Sequence, residues 1–216
     1  MASLLLRFQR YLRALVVVPA MLAISACGGL LFYPLQTLVS TPANWQLNYE
    51  DIWLQSSDGT RLHGWWLPAQ IPGENPAPLA ARGNIYFLHG NAENISTHIA
   101  SVSWLPAAGY NVFLLDYRGF GRSEGKPDLG PVIDDVRSGY RWVQQKDLPL
   151  IVLGQSLGGG LGGFVAATEA RPPAALVLDA PVASYPRIAA EVARRNWVTW
   201  LLAPLAACVM PAQYDL

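Results

Sequence analysis

The sequence predicts an α/β domain built on a mainly parallel sheet, and two observations carry that expectation. Apolar runs at 84–89, 110–116, 149–153 and 174–179 alternate with helical stretches at about 93–107, 130–145 and 157–169, the order that puts helices on both faces of a sheet. The runs are continuously apolar rather than alternating, as in Ile85-Tyr86-Phe87-Leu88 and Val112-Phe113-Leu114-Leu115, which marks strands buried on both sides. Upstream, 47–54 and 60–67 flank Ser57-Asp58-Gly59, and an Asp-Gly step between strand-like runs predicts a β-hairpin. The Pro-, Ala- and Gly-rich stretch 68–82 reads as a surface loop.

Composition narrows the function classes. The 216 residues are 52% hydrophobic and 14% charged, enough to bury one core, so a single folded domain is expected. Fifteen basic and fifteen acidic residues cancel, and no basic run follows the N-terminus, so nothing electrostatic recommends nucleic acid as a partner. Two cysteines, Cys27 and Cys208, do not make a disulfide framework. No His/Cys cluster has metal-ligand spacing, and neither a P-loop nor a dinucleotide fingerprint is present, so no metal and no cofactor is expected.

The N-terminus reads as a targeting segment. Arg7, Arg10 and Arg13 precede the uncharged stretch 14–26, the layout of a secretory leader. Its end, Ile24-Ser25-Ala26-Cys27, resembles a bacterial lipoprotein lipobox, which implies cleavage before Cys27 and lipidation of that residue. The rival reading is a retained anchor, extended by Leu30-Leu31-Phe32-Tyr33 to the ~20 apolar residues that cross a bilayer. Small residues directly before the cysteine favour the lipoprotein. Both readings tether the domain to the membrane of a bacterial envelope, facing the periplasm or the outside. The expected plan is 1–27 targeting segment or anchor, 28–45 linker and 46–216 folded domain. Within it, 186–216 reads either as the start of a cap or as an amphipathic helix on the sheet.

Four strings carry the chemistry. Gly154-Gln155-Ser156-Leu157-Gly158 places a serine between glycines, after an apolar run and before a small-residue helix; this G-x-S-x-G turn is a nucleophile elbow. The strand 84–88 ends in His89-Gly90-Asn91, the strand 110–115 in the D-x-R-G-x-G-x-S-x-G loop 116–125, and Ala175–Pro181 forms one more buried strand. Together, in this order, they resemble the α/β-hydrolase superfamily, and most closely its serine aminopeptidase-like and monoacylglycerol-lipase-like members with an H-G-N oxyanion loop. The resemblance covers about 45–185. It implies an α/β-hydrolase fold with an N-terminal β-hairpin, and Ser156 as a nucleophile that forms an acyl-enzyme with a carboxylic ester or amide of a small or lipid-like molecule. The backbone N–H groups of Leu157 and Asn91 would receive the oxyanion, with Ala92 as fallback for Asn91, and His89 would support the loop.

In this scaffold the triad acid and histidine follow the serine, whereas His63, His89 and His98 all precede Ser156. The expectation is therefore a serine hydrolase present without its last strands, its C-terminal acid and its histidine. The alternative is a non-catalytic, membrane-tethered pseudohydrolase or vestigial truncated product. The segment Ala175–Leu178 would then be a sheet edge. Asp116, Arg118 and Ser123 are expected to hold their own loop, His63 and His98 to be ordinary residues, and Asp179 to have no catalytic task without a histidine to orient.

The tether yields the first prediction. Mass spectrometry of the membrane fraction should find an acylated Cys27 at the mature N-terminus, and Cys27→Ser should accumulate uncleaved precursor. A mature protein that retains 1–13 would replace the lipoprotein with a signal anchor.

Overall fold

The hairpin forms where the Asp-Gly step predicts it. Strand β1 (Glu50–Gln55) pairs antiparallel with β2 (Arg61–Leu67), and Gly59 takes the left-handed conformation, φ 86°, in the turn. The computed structural model describes residues 31–195 and 199–216; the targeting segment 1–27 with its Cys27, and Trp197, lie outside them.

Four further strands complete one six-stranded sheet: β3 (Gly83–Leu88), β4 (Tyr110–Leu115), β5 (Leu150–Gln155) and β6 (Ala175–Asp179). Their order across the sheet is β6-β5-β3-β4-β2-β1. The four strands from β6 to β4 run parallel, and only the hairpin is antiparallel to its neighbours. Every residue of β3 is buried because both faces are covered. Tyr86, Leu88, Phe113 and Leu115 point to one core with Val132, Val136, Leu161 and Val165. Their alternates Ile85, Phe87, Val112 and Leu114 point to a second with Ile95, Ile99, Val102 and Leu105.

The first core is closed by helices α1 (Leu129–Gln144) and α2 (Leu157–Thr168). Asp128 caps α1 by accepting from the Leu129 N–H at 2.9 Å, and Val132, Val136, Tyr140 and Val143 recur at helical spacing on its buried face. Helices α3 (Tyr185–Arg194) and α4 (Ala203–Val209) follow β6 and pack on one another. Among the described residues strand β6 pairs with β5 alone and is the edge, with Leu176 and Val177 exposed by 42% and 49%. Among the described residues no helix is long and apolar enough to cross a membrane.

Three expectations change. The helix expected over 93–107 shrinks to Ile95–His98 and a 3-10 turn at Ile99–Ser101. Asn94 caps the helix by accepting from the Ser96 N–H, which fixes its start at Ile95, and the chain tightens into the 3-10 turn where the Val102 N–H donates to the Ile99 carbonyl. The loop 68–82 contains a short antiparallel pairing of Gln70–Ile71 with Ala77–Pro78. The stretch 31–45, expected as a linker, is docked on the domain. Phe32 is buried and edge-on to Phe120, ring centroids 6.3 Å apart. Tyr33-Pro34 pairs in parallel with Ala92-Glu93, and the Asn94 amide donates to the carbonyls of Leu35 and Thr37 at 2.8 and 2.9 Å.

Helix α2 approaches the sheet through glycines. A β-carbon on Gly158 would run into the carbonyls of Leu88 and His89, and one on Gly162 would come to 2.7 Å from Leu88 Cδ1. Gly158→Ala should therefore destabilise the chain by about 3 kcal/mol or more, since backbone cannot yield as a side chain does. Gly73→Ala, with nothing within 4 Å, is the matched control. Urea midpoints decide: equal values for the Gly158→Ala and unmutated chains would contradict this packing.

Candidate active site

Ser156 joins the end of β5 to the start of α2 with φ 53° and ψ −114°, a conformation a residue with a β-carbon rarely adopts. Neighbouring backbone over-determines it. The Ser156 N–H donates to the Asp179 carbonyl at 2.8 Å, and the Ser156 carbonyl accepts from the Val182 N–H at 3.0 Å. Strain is thus spent on aiming one side chain out of the turn. Ser156 is the N-cap of α2, yet its side chain makes no capping hydrogen bond, so the hydroxyl is not committed to the helix.

The next residue, Leu157, opens α2. Its side chain is buried in the core, while its N–H belongs to the first helical turn, where amides lack intrahelical partners and the helix dipole favours negative charge. The loop after β3 passes over the serine: a β-carbon on Gly90 would lie 3.8 Å from that of Ser156. Asn91 follows, its carbonyl held by the Tyr33 N–H at 2.7 Å. Ser156, Leu157 and Asn91 line one cavity of about 200 Å³. Its remaining walls are Leu31 and Tyr33, Val182 and Tyr185, and Ile188 and Val192 of α3. Ile188 and Val192, at the start of the 186–216 segment, thus face the cavity, while Ala189 and Ala190 on the same helix are buried.

The three histidines are all engaged away from the serine. His89 is fully buried, and its Nδ1–H donates to the Gly90 carbonyl at 2.8 Å; a carbonyl only accepts, so Nδ1 carries the proton. Its ring stacks on Tyr117 at 4.3 Å, whose hydroxyl donates to the His89 carbonyl at 2.9 Å. Burial, and after it the neighbouring His98, pulls the imidazole down to about 3, so the ring is neutral and braces the loop. His98 Nε2 donates to the Ala92 carbonyl at 3.1 Å, tying down the fallback donor residue. His63 is buried with Nε2 on the Asp51 carboxylate.

The loop 116–125 is held by its own polar groups. Arg118 reaches Asp135 through Nε and Nη2 at 2.9 and 2.7 Å, and Asp58 through Nη1 at 2.8 Å, joining the loop to α1 and to the hairpin turn. The Arg118 contact holds Asp58 well below the usual carboxylate range. Burial pushes Asp135 up against the opposing pull of Arg118. Asp116, also raised by burial, accepts from the Ile95 N–H at 2.9 Å, and the Ser123 hydroxyl donates to its carbonyl at 2.7 Å. The Asp179 carboxylate accepts from Gln155 Nε2 at 3.1 Å. Among the described residues no group of three or more His, Cys, Asp or Glu side chains is arranged to hold a metal ion. Cys208 is a free, exposed thiol.

Sequence reasoning missed most of the cavity wall. Tyr185, Ile188 and Val192 recur at i, i+3 and i+7, a helical stripe that pointed to a buried face without saying what it faced. Leu31 and Tyr33 carried no local signal, because their partners lie far along the chain.

Comparison with known proteins fits this geometry. The Escherichia coli (strain K12) protein YfhR is 35% identical over 167 residues, 74% of this chain and 56% of its own length. The Arabidopsis thaliana α/β hydrolase domain-containing protein WAV2 is 35% identical over 182 residues, 82% of this chain and 53% of its own. The chain thus spans about half the length of the curated relatives it matches. The structure of the Pyrococcus furiosus esterase Pf2001 shares the fold, with a TM-score of 0.63 at 20% identity over 82% of this chain and 67% of that one. The family model described as serine aminopeptidase, S33 matches residues 80–214. That match takes in all four motifs and well over half of the chain, and so the chain belongs to the serine aminopeptidase S33 family of the α/β-hydrolase superfamily.

Proposed function

We propose that this chain carries the nucleophile and oxyanion hole of a serine hydrolase that cleaves a carboxylic ester or amide of a small or lipid-like molecule. The observation that carries the reading is the shared cavity of Ser156, Leu157 and Asn91. Ser156 Oγ attacks the carbonyl carbon, the C=O π pair moves onto oxygen, and the N–H groups of Leu157 and Asn91 stabilise the charge. Collapse of the tetrahedral species expels the alcohol or amine and leaves an acyl ester on Ser156, which water then hydrolyses. The apolar walls favour an acyl or alkyl group beside the scissile bond. The leader reading adds a location, a bacterial envelope membrane with the domain facing the periplasm or the outside and Cys27 as the tether.

The Oγ proton needs an acceptor, and His63, His89 and His98 are each bonded to other groups. Loss of the base from a serine triad lowers turnover by about 10⁶-fold, so the 216-residue chain alone should be a poor catalyst. It should turn over p-nitrophenyl acetate far below ~1 s⁻¹, an ordinary enzyme rate. Prolonged exposure to a fluorophosphonate should give an adduct on Ser156 that Ser156→Ala abolishes. Adducts on other serines with none on Ser156 would refute the nucleophile reading. Turnover at the ordinary rate would show that one of the chain's own groups acts as base.

A further inference from the structure

The loop that leaves β3 presents four consecutive backbone carbonyls, at Gly90, Asn91, Ala92 and Glu93, and each has its own donor. His89 Nδ1–H donates to the Gly90 carbonyl at 2.8 Å, and His98 Nε2 to that of Ala92 at 3.1 Å. The Tyr33 N–H donates to the Asn91 carbonyl at 2.7 Å, and the Leu35 N–H to that of Glu93 at 3.0 Å. The donors alternate. Two histidines take the first and third carbonyls, and the N-terminal strap 31–35 takes the second and fourth, since a paired strand reaches only every other carbonyl of its neighbour.

Two of these bonds bear on the peptide that carries the Asn91 N–H. Its own carbonyl, that of Gly90, is held by His89, and the next one along, that of Asn91, is held by Tyr33. Peptide units are planar, so fixing the units on both sides of the Asn91 α-carbon fixes the direction of its N–H. Glu93 takes the left-handed conformation, φ 68°, which a residue with a β-carbon rarely adopts, and the Leu35 bond falls on that residue. The strap is in turn anchored on the domain. Phe32 is buried and edge-on to Phe120, whose ring centroid lies 5.1 Å from that of His89. The Leu35 carbonyl accepts from the Gly121 N–H at 2.9 Å and from the Asn94 amide at 2.8 Å. All of the strap lies upstream of the stretch 80–214 that the family model matches.

We propose that the strap belongs to the oxyanion hole: Phe32, as its anchor, and Tyr33, through its backbone N–H, are positioning residues that hold the Asn91 donor in the orientation the developing oxyanion needs. This deepens the reading of Ser156 and Asn91 and rests on it. Oxyanion donors act by being in place before charge develops, and a site loosened by about 1 Å loses that advantage. The hold acts in both directions, so a tetrahedral group that engages the Asn91 N–H tightens the strap in return.

The test follows phosphonylation of Ser156 in the full 216-residue chain by a fluorophosphonate. Attack of Oγ on phosphorus expels fluoride, releases the hydroxyl proton to solvent and builds charge on the phosphonyl oxygen, so the rate reads the oxyanion hole without any need for turnover. A concentration series separates the maximal rate from the half-saturating concentration. Tyr33→Ala and Tyr33→Pro both lose the side chain, and only the proline lacks the N–H. The maximal rate of Tyr33→Pro should lie roughly tenfold or more below that of Tyr33→Ala with similar half-saturating concentrations, given that outright loss of one oxyanion donor costs about 10²–10³-fold. Phe32→Ala should slow the maximal rate in the same way, and Phe32→Leu, which keeps an apolar anchor, should recover most of it. In the unmutated chain, hydrogen exchange over 31–37 should be several-fold slower in the Ser156 adduct than before reaction. Equal maximal rates in the two Tyr33 variants, a loss confined to the half-saturating concentration, or exchange that the adduct leaves unchanged would each overturn the proposal while Ser156 is still labelled. If the reagent marks other serines and never Ser156, the nucleophile reading falls and this proposal falls with it.

Discussion

The close approach of the first turn of α2 to the end of β3 sets the position of every group at the site. Gly158 lies against the Leu88 and His89 carbonyls, so the helix that presents the Leu157 N–H and the loop that presents Asn91 are one packed unit. Oxyanion stabilisation depends on donors that do not reorganise as charge develops, and a misplacement of even 1 Å weakens it. The strained backbone of Ser156 is tolerated because that unit, with β6 beside it, leaves the turn no other path. Glycine at Gly154 and Gly158 is thus a condition of the turn's geometry, as well as of the packing.

Beneath the oxyanion loop lies a set of polar groups whose electrostatics suit that task. Burial raises Asp116 and lowers His89, and both shifts favour uncharged forms. The neutral His89 ring holds the loop by its hydrogen bond to the Gly90 carbonyl without adding charge beneath it. Arg118 keeps its charge farther away, between Asp135 and Asp58, where it fastens the hairpin turn to α1.

Much of this was legible in the sequence where local pattern and burial agree. Ile85 to Leu88 and Val112 to Leu115 are apolar on both faces because both faces are covered, and their strands fall within a residue or two of the expected bounds. The elbow at Ser156 was legible because its glycines answer a steric demand only a few residues long. The segment after β3 was misread because Ile95, Ile99, Val102 and Leu105 keep a helical rhythm, although the chain passes from α to 3-10 geometry at Ile99. Tyr33-Pro34 gave no sign of pairing with Ala92-Glu93, since a two-residue parallel bridge has neither a turn nor a periodicity to announce it.

The docked N-terminal stretch has a practical consequence for anyone handling this protein. Leu31 and Tyr33 are wall residues of the cavity, and the Tyr33 N–H fixes the Asn91 carbonyl. Three residues, 28–30, separate Cys27 from Leu31, at most about 14 Å of extended chain. Affinity tags and fusion partners are commonly spliced in near an N-terminus, and here the stretch that begins at Leu31 lines the cavity. A trimmed start beyond Tyr33 would yield a domain with an open side and an unsupported loop, so recombinant versions should begin upstream of Leu31 and carry their handles elsewhere.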